Sequence, residues 1–216
     1  MSELILHVDA FWISPYAFSA FAALREKGVP FEVRTVALHE GAHRAPEYHD
    51  PSLTGRVPAL LHDGFWLSES SAIIEYLEEV FLPPAHAAVL PSTVQARARA
   101  RQVMAWVRSD LGALRTERPT KTLFYTEERT REPLSGAAAA DAAKLLRVAD
   151  VLIPPGEGPL FGAWSAADAD LALMLHRLIL NEDPVPARLR RYAQAQWSRP
   201  SMRAFVDRSR PAYVAY

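Results

Sequence analysis

The stretch SLTGRVPALLHDGFWLSESSAIIEYLEE, residues 52 to 79, combines two kinds of secondary-structure signal in one short segment. Its first half, VPALLHDGFWLS, predicts two short strands around an Asp-Gly turn, because Asp-Gly between apolar runs is a strong hairpin signal. In its second half Ile73, Ile74 and Leu77 recur at three-to-four residue spacing, which predicts an amphipathic helix. A proline therefore stands just before a strand, and a Ser-Glu-Ser-Ser cluster starts a helix just after one.

The residues upstream predict a strand, a helix and a second strand. ELILHV (3–8) and FEVRTVAL (31–38) have the apolar, partly β-branched composition of strands. The helix between them is predicted to start near Pro15 and to stop at Gly28, because proline favours the first helical turn and glycine the C-cap. Together with the hairpin and helix downstream, residues 1–82 are expected to form one β-α-β-β-α domain.

The remainder of the chain changes in composition. Three prolines in LPPAHAAVLP interrupt helix and strand alike, so residues 83–93 are predicted to be a linker. Ala, Arg and Leu then recur with helical periodicity, and residues 94–216 are expected to form an all-helical domain. The predicted helices of this domain are 94–115, 136–153, 166–181 and 187–208.

Composition excludes several classes of function. The chain has 216 residues, of which 50% are hydrophobic and 23% charged, and this is typical of a globular protein with a sizeable core. Its formal net charge of -1 leaves no whole-chain basic field, so neither nucleic acid nor a membrane surface is expected as a partner. No apolar run approaches the ~20 residues that span a bilayer, and the start lacks a signal-like segment, so a cytoplasmic location is expected.

Three motifs stand at a spacing that points to a known family: VPALL (57–61), SESSAIIEYLEE (68–79) and SAADADLAL (165–173). With them the chain resembles the cytosolic glutathione S-transferases over nearly its whole length. The resemblance implies an α/β thioredoxin-like domain followed by an all-α helical-bundle domain. It also implies an enzyme that conjugates glutathione, as co-substrate, to small hydrophobic electrophiles, in the detoxification and oxidative-stress chemistry of that family.

The resemblance implies how the first two motifs bind glutathione. In the family the bond before this proline is cis, so the backbone of Val57, turned by Pro58, is expected to pair with the cysteinyl part of glutathione. The N-terminus of the following helix carries partial positive charge and unpaired N–H groups, which favour the γ-glutamyl carboxylate. Ser70 is expected to donate to that carboxylate, and Glu69 to accept from the γ-glutamyl ammonium.

Further residues are assigned to the site from their place in the expected fold. His43 or Arg44, in the loop before the Val-Pro turn, is expected to meet the glycyl carboxylate of glutathione. Phe11, Trp12 and Trp106 are expected to wall an electrophile pocket, which lies between the domains in this family. Each of these aromatic residues fits a hydrophobic core equally well.

The family activates the glutathione thiol with a Tyr, Ser or Cys near the end of the first strand or the start of the first helix. The chain has no cysteine, and the segment AFWISPYAFSAF offers Ser14, Tyr16 and Ser19. Ser14 is the expected catalytic residue, because its position points the hydroxyl outward from the helix terminus. The same position before Pro15 is that of an ordinary helix cap, and Tyr16 is the alternative.

One motif points to different chemistry. HEGAH (39–43) matches the H-E-x-x-H zinc signature, but Gly41 and Pro46 disfavour the helix that this signature requires, so no metal is expected. Two other activities stay open: reduction of organic hydroperoxides by glutathione, and a non-catalytic binding module on the same fold. The family usually forms homodimers, and the helices around 69–81 and 94–115 are expected to form the interface.

Overall fold

The computed structural model describes residues 3–156 and 158–215. Tertiary contacts divide the chain into two units. The first unit extends to Val89 and also includes the C-terminal segment from Ala204, and the second runs from Leu90 to Arg203. Among the described residues, no helix has the length and apolar character needed to cross a membrane.

The first unit contains a four-stranded sheet. Its strands are β1 (Leu4–Asp9), β2 (Glu32–Val36), β3 (Ala59–His62) and β4 (Phe65–Ser68). They lie in the order β2-β1-β3-β4, with β1 parallel to β2 and antiparallel to β3, and β3 antiparallel to β4. All residues of β1 are buried, which explains the continuous apolar run at residues 4–6, and the polar residues His7 and Asp9 near its end are buried as well.

The register of this sheet places one end of each of its four strands side by side. Asp9 pairs with Val36, the last residue of β2, while Ala59, the first residue of β3, pairs with both His7 and Ser68. The strand directions therefore bring together the end of β1, the end of β2, the start of β3 and the end of β4. These four strand ends form the Asp9 end of the sheet.

Three helices belong to the first half of the chain: α1 (Pro15–Lys27), α2 (Pro46–Ser52) and α3 (Ser70–Val80). The predicted start and stop of α1 are confirmed, since Ser14 is its N-cap and Gly28 closes it with φ 68, a left-handed conformation that favours glycine. Helices α1 and α3 pack together, and a buried ion pair between Lys27 and Glu78, 2.8 Å from nitrogen to oxygen, links them.

The polar segment between β2 and the hairpin contains short helical turns. Leu38–Glu40 and Ala42–Arg44 form two 3₁₀ turns separated by Gly41, and α2 follows. His39 and His43 therefore do not lie one turn apart on an α-helix, which is the arrangement that the H-E-x-x-H zinc signature requires.

The second unit is helical. Its helices are α4 (Val94–Ser109), α5 (Gly112–Glu117), α6 (Lys121–Phe124), α7 (Gly136–Leu152), α8 (Ala166–Ile179), α9 (Ala187–Trp197) and the first residues of α10 (Pro200–Val206). Every residue of α8 is buried, and α8 contacts α4 and α9 around a core that includes Leu171 and Leu175.

Two of the helices predicted for this unit are wrong in extent. The helix expected over 94–115 is interrupted at Leu111, which takes φ 60, outside the right-handed helical region. The helix expected over 187–208 ends at Trp197, and a separate helix begins at Pro200, because proline cannot continue a helix interior.

Candidate functional site

The loop between β1 and α1 is organised by one buried carboxylate. Asp9 is 1% exposed, and its two oxygens accept the N–H groups of Ile13 at 2.8 Å and Ser14 at 3.0 Å. Its C=O accepts the N–H of Trp12 at 3.0 Å. Burial raises the pKa of the Asp9 carboxyl, while the backbone N–H bonds and the positive charge of Arg210 act in the opposite direction. Asp9 thus folds the loop back onto the end of its own strand.

Ser14, the expected catalytic residue, lies at the end of this loop as the N-cap of α1. Its Oγ accepts the N–H of Ala17 at 3.2 Å. Within the described part of the chain the Ser14 hydroxyl donates to no acceptor, and the side chain is half-buried. Such a cap keeps its hydroxyl proton available for a ligand. Tyr16, the alternative, is also half-buried and is the second residue of α1.

The Val57–Pro58 bond is cis, as the resemblance implies. The two residues directly precede β3, so they stand at the Asp9 end of the sheet, as does the loop that carries Ser14. Pro58 is buried and Val57 is half-buried. Just upstream, the hydroxyl of Tyr48 donates to the C=O of Arg56 at 2.7 Å and fixes the chain before the turn.

Gly55, just before this turn, stands where the connection from α2 to β3 comes close to the residues that follow β2. Gly55 has φ 60, and a Cβ placed on it would lie 2.8 Å from the His49 ring and 3.3 Å from the His43 C=O. Any larger residue would push these connections apart. His43 lies in the connection from β2 to α2, and Gly55 lies in the connection from α2 to β3. This packing therefore holds the two connections together at the Asp9 end of the sheet.

Helix α3 begins at the same end of the sheet, directly after β4. Its N-cap residue, Glu69, has φ 69, is exposed, and makes no side-chain capping bond to the described residues. Ser70, the first helical residue, is buried. Beyond the exposed N-cap residue Glu69, no acidic residue lies in the first turn of the described helix, and the backbone N–H groups of its N-terminus carry partial positive charge. This end of α3 therefore suits a carboxylate ligand.

His43 and Arg44, expected to meet the glycyl carboxylate, belong to the second 3₁₀ turn after β2. Arg44 is exposed, so its guanidinium is in solvent. His43 is half-buried, and its Nδ1 is buried without a hydrogen-bond partner among the described residues. Of the two, Arg44 presents the charge that an anionic ligand needs.

The expected electrophile-pocket residues fall in both units. Phe11 and Trp12 are buried in the β1–α1 loop, and Trp106 is half-buried on α4. Within the second unit Trp106 lines a cavity of about 250 Å³ together with Val103, and its indole N–H donates to Asp110 at 2.9 Å. Trp106 therefore borders a mostly apolar opening of its own unit.

The C-terminal segment of the first unit packs on the β1–α1 loop. Arg208 lies over the Trp12 ring, 3.9 Å from its centroid, and the Tyr213 ring is 5.4 Å from the Phe11 ring. The guanidinium of Arg210 lies 3.4 Å from the Trp12 C=O. This segment therefore covers one side of the loop.

Sequence reasoning missed both Asp9 and the C-terminal segment. An aspartate that follows an apolar strand and stands shortly before a Ser-Pro pair is a recognisable sign of a side chain that binds loop N–H groups. The C-terminal arginines carry no comparable local signal, because Arg210 is 198 residues away from Trp12 in the chain.

Comparison with known proteins identifies the family. The model of the glutathione S-transferase C-terminal domain matches residues 93–210, and that of the N-terminal domain matches residues 13–80. A crystal structure of a glutathione transferase homolog from Burkholderia gl BGR1, with bound glutathione, is 45% identical to this chain. Its TM-score is 0.79, and the alignment covers 95% of this chain and 97% of that one.

Curated relatives match over shorter or weaker alignments. Glutathione S-transferase theta-2 of Homo sapiens is 35% identical over 94 residues, which cover 44% of this chain and only 38% of the human protein. Glutathione S-transferase U22 of Arabidopsis thaliana is 28% identical over 173 residues, which cover 80% of this chain and 72% of that protein. The two matched domains confirm the predicted fold class, a thioredoxin-like α/β domain followed by an all-helical domain, and the chain belongs to the glutathione S-transferase family.

Proposed function

We propose that this protein is a glutathione transferase that binds glutathione at the Asp9 end of its sheet and joins the glutathione sulfur to small hydrophobic electrophiles. One observation carries the proposal. Ser14, the cis Val57–Pro58 bond and the N-terminus of α3 all adjoin strand ends that the sheet register brings together. The glutathione bound to the Burkholderia homolog, 45% identical to this chain, supports the choice of ligand.

Each part of glutathione meets a group of matching chemistry. The γ-glutamyl carboxylate lies at the N-terminus of α3, where the helix dipole and the Ser70 hydroxyl favour negative charge. The γ-glutamyl ammonium faces Glu69, an exposed carboxylate at the same helix end. The cysteinyl backbone pairs with Val57 in the manner of an added strand, and Arg44 or His43 meets the glycyl carboxylate.

Ser14 assists the reaction by stabilising the thiolate. A thiol with a pKa of ~8.5 is only ~3% ionised at pH 7, and a hydrogen bond to a charged group contributes ~1.5 to 3 kcal/mol, enough to lower the thiol pKa by one to two units. The Ser14 oxygen already accepts the Ala17 N–H, so the hydroxyl meets the sulfur as a donor. The thiol proton passes to solvent. The thiolate then forms the new C–S bond as the leaving group departs or, with an alkene, as the adjacent carbon takes up a proton.

Titration calorimetry with glutathione tests the binding step. Ser70→Ala is expected to weaken binding about 10- to 100-fold, because it removes a hydrogen bond to a charged carboxylate worth ~1.5 to 3 kcal/mol. Ser71→Ala is the matched control, since Ser71 is the next residue of the same helix and is exposed, and it should bind glutathione like the parent. Equal affinity in the parent and Ser70→Ala would contradict the role of Ser70. No binding by the parent would favour a non-catalytic module.

A panel of electrophiles tests the reaction itself. Aromatic halides and activated alkenes report conjugation, and cumene hydroperoxide reports glutathione-dependent reduction. Turnover of a halide or alkene supports the transferase, whereas turnover of the hydroperoxide alone assigns the protein to peroxide reduction. Glutathione binding without turnover of any of these compounds would overturn the enzymatic proposal.

We also infer a homodimer, the assembly that the family resemblance implies, formed through α3 and α4. Sedimentation at micromolar concentration is expected to give twice the mass of the chain. A monomer at that concentration would contradict this assembly.

A further inference from the structure

Asp9 determines the shape of the loop that ends at Ser14, through hydrogen bonds from two backbone N–H groups. We propose that Asp9 is a positioning residue: together with Arg210 it fixes the direction of the Ser14 hydroxyl. The inference rests on the proposed function, in which that hydroxyl donates to the glutathione sulfur.

Ser14 is fixed at three points. Its N–H donates to Asp9 Oδ1 at 3.0 Å, its C=O accepts the Phe18 N–H at 3.0 Å, and its Oγ accepts the Ala17 N–H at 3.2 Å. The last two bonds tie Ser14 to its own helix, and the bond to Asp9 is the one that ties it to the end of β1. Loss of the bond to Asp9 would release the N–H side of Ser14 and let the hydroxyl move away from the direction in which it donates.

The loop requires a carboxylate at this position. The N–H groups of Ile13 and Ser14 both face Asp9, and each binds one of its two oxygens, at 2.8 and 3.0 Å. An asparagine has a single acceptor oxygen, and its NH₂ group would face the other N–H, donor against donor. Since Asp9 is 1% exposed, water does not readily replace the lost partner. Replacing carboxylate by amide therefore disturbs the loop although it preserves the shape of the side chain.

Arg210 holds the same loop through a second contact. Two nitrogens of its guanidinium lie 3.4 Å from the Trp12 C=O, and the group donates to the C=O of Phe205 and of Val206, each at 2.8 Å. Its positive charge also acts to lower the pKa of the Asp9 carboxyl. Trp12, which bonds to both residues through its backbone, has φ 53, a conformation that a tryptophan keeps only when its surroundings hold it.

A double-mutant cycle with Ser14 separates positioning from a merely structural role. The measured quantities are the apparent pKa of bound glutathione, from the ultraviolet absorbance of its thiolate, and kcat and KM at pH 7. Asp9→Asn is expected to raise that pKa and to lower kcat about 3- to 20-fold, as Ser14→Ala does, with little change in KM for glutathione. In the Ser14→Ala background, Asp9→Asn should change kcat less than about twofold, because the hydroxyl through which it acts is gone.

The second unit supplies a matched control. One oxygen of Asp141 accepts the N–H groups of Ala113 at 3.0 Å and Leu114 at 3.2 Å, so Asp141→Asn is the same substitution at a carboxylate that binds two backbone N–H groups, but it keeps the oxygen that both of them use. It should leave the pKa of bound glutathione and kcat at parent values. A shift as large as that of Asp9→Asn would mean that the loop is not the cause.

If Asp9→Asn does not fold, Arg210→Gln tests whether the loop positions the Ser14 hydroxyl. It should lower kcat in the parent but not in Ser14→Ala, whereas a direct effect of its charge on the thiolate would be the same in both backgrounds. Equal effects with and without Ser14 would overturn the positioning role. Failure of the proposed function looks different: glutathione does not bind, or Ser14→Ala alone leaves the pKa of bound glutathione unchanged, and the inference then falls with it.

Discussion

Ser14 and Ser165 each precede a helix as its N-cap, but only the Ser165 hydroxyl donates its proton to a residue of its own helix. Ser14 is half-buried, and its Oγ accepts the N–H of Ala17, the third residue of α1. Ser165 is 1% exposed, and its hydroxyl donates to Asp168, the third residue of α8, at 2.9 Å. The residue at the third helical position decides the difference, because an aspartate there accepts the hydroxyl proton and an alanine cannot.

Asp168 serves the fold of the second unit. It also accepts the N–H of Ser165 at 2.9 Å, the N–H of Leu160 at 2.8 Å and the hydroxyl of Tyr192 at 2.8 Å. This fully buried carboxylate therefore joins a loop, α8 and α9. A serine at a helix start is therefore a candidate for chemistry when its own helix leaves the hydroxyl proton unbound.

The largest effect is expected from the Ser165 cap. Asp168→Ala should lower the free energy of unfolding by about 3 to 5 kcal/mol, because it leaves several buried donors without an acceptor. Urea denaturation measures the loss. Asp150→Ala is the control, since the carboxylate of Asp150 is exposed and pairs with Arg188, and a loss below about 1 kcal/mol is expected. Equal losses in the two variants would show that the buried hydrogen bonds of Asp168 stabilise the protein no more than an exposed ion pair does.

The stability of the protein at acid pH tests a second buried polar residue of α8, His176. His176 is 2% exposed and stacks on Trp197, with ring centroids 4.1 Å apart, and burial lowers its pKa from 6.5 to about 4. The folded pKa lies below the unfolded one, so above pH 6.5 both states are largely neutral, and as the pH falls toward 4 the unfolded state takes up the proton first. His176 should therefore lower the free energy of unfolding by about 3 kcal/mol across this window.

His176→Phe keeps an aromatic ring against Trp197 and removes the titrating group. Urea denaturation of parent and variant at pH 7 and at about pH 4.5 should give an acid-induced loss that is about 2 to 3 kcal/mol smaller in the variant. Equal acid-induced losses in the two proteins would show that His176 is not the group that responds.

The Ser165 cap could be predicted from the sequence, whereas the candidate site around Ser14 could be predicted only in part. Ser165 and Asp168 stand three residues apart at the start of an apolar run, so the capping box is recognisable, and the structure confirms it. Ser14 before Pro15 likewise predicts a helix start. The alanine at the third helical position leaves the hydroxyl proton without an acceptor in its own helix, but the direction of the hydroxyl depends on the preceding loop, which Asp9 shapes, and no local rule predicts the conformation of that loop.

Local and long-range interactions explain which elements the sequence predicted well. The hairpin, α1 and α3 follow turn chemistry and periodicity, and their predicted positions agree closely with the structure. The interruption of the helix at Leu111 has a different origin, because this residue is fully buried in a left-handed conformation that tertiary packing holds. The return of the segment after Ala204 to the first unit is also a tertiary effect without a local signal.

Removing the Ser14 hydroxyl should have a smaller effect than removing Asp168. Ser14→Ala is expected to raise the apparent pKa of bound glutathione by about one to two units, since a hydrogen bond to the thiolate is worth ~1.5 to 3 kcal/mol. The rate at pH 7 should fall only about 3- to 20-fold, because the more basic thiolate is also the better nucleophile. Ser14→Thr keeps both the hydroxyl and the cap, so its pH–rate profile should stay close to that of the parent. An unchanged profile in Ser14→Ala would exclude the serine as the activating group.

The smallest effect is expected from the neighbouring tyrosine. Tyr16 is the second residue of α1, two positions beyond Ser14. Ser14 lies before the helix as its cap, and the proposed function assigns the glutathione sulfur to its hydroxyl and not to the phenol. Tyr16→Phe should therefore leave the pKa of bound glutathione unchanged and the rate at pH 7 within about twofold of the parent. If Tyr16→Phe shifts the pH–rate profile and Ser14→Ala does not, the tyrosine is the catalytic residue, and Ser14 is, like Ser165, only the cap of its helix.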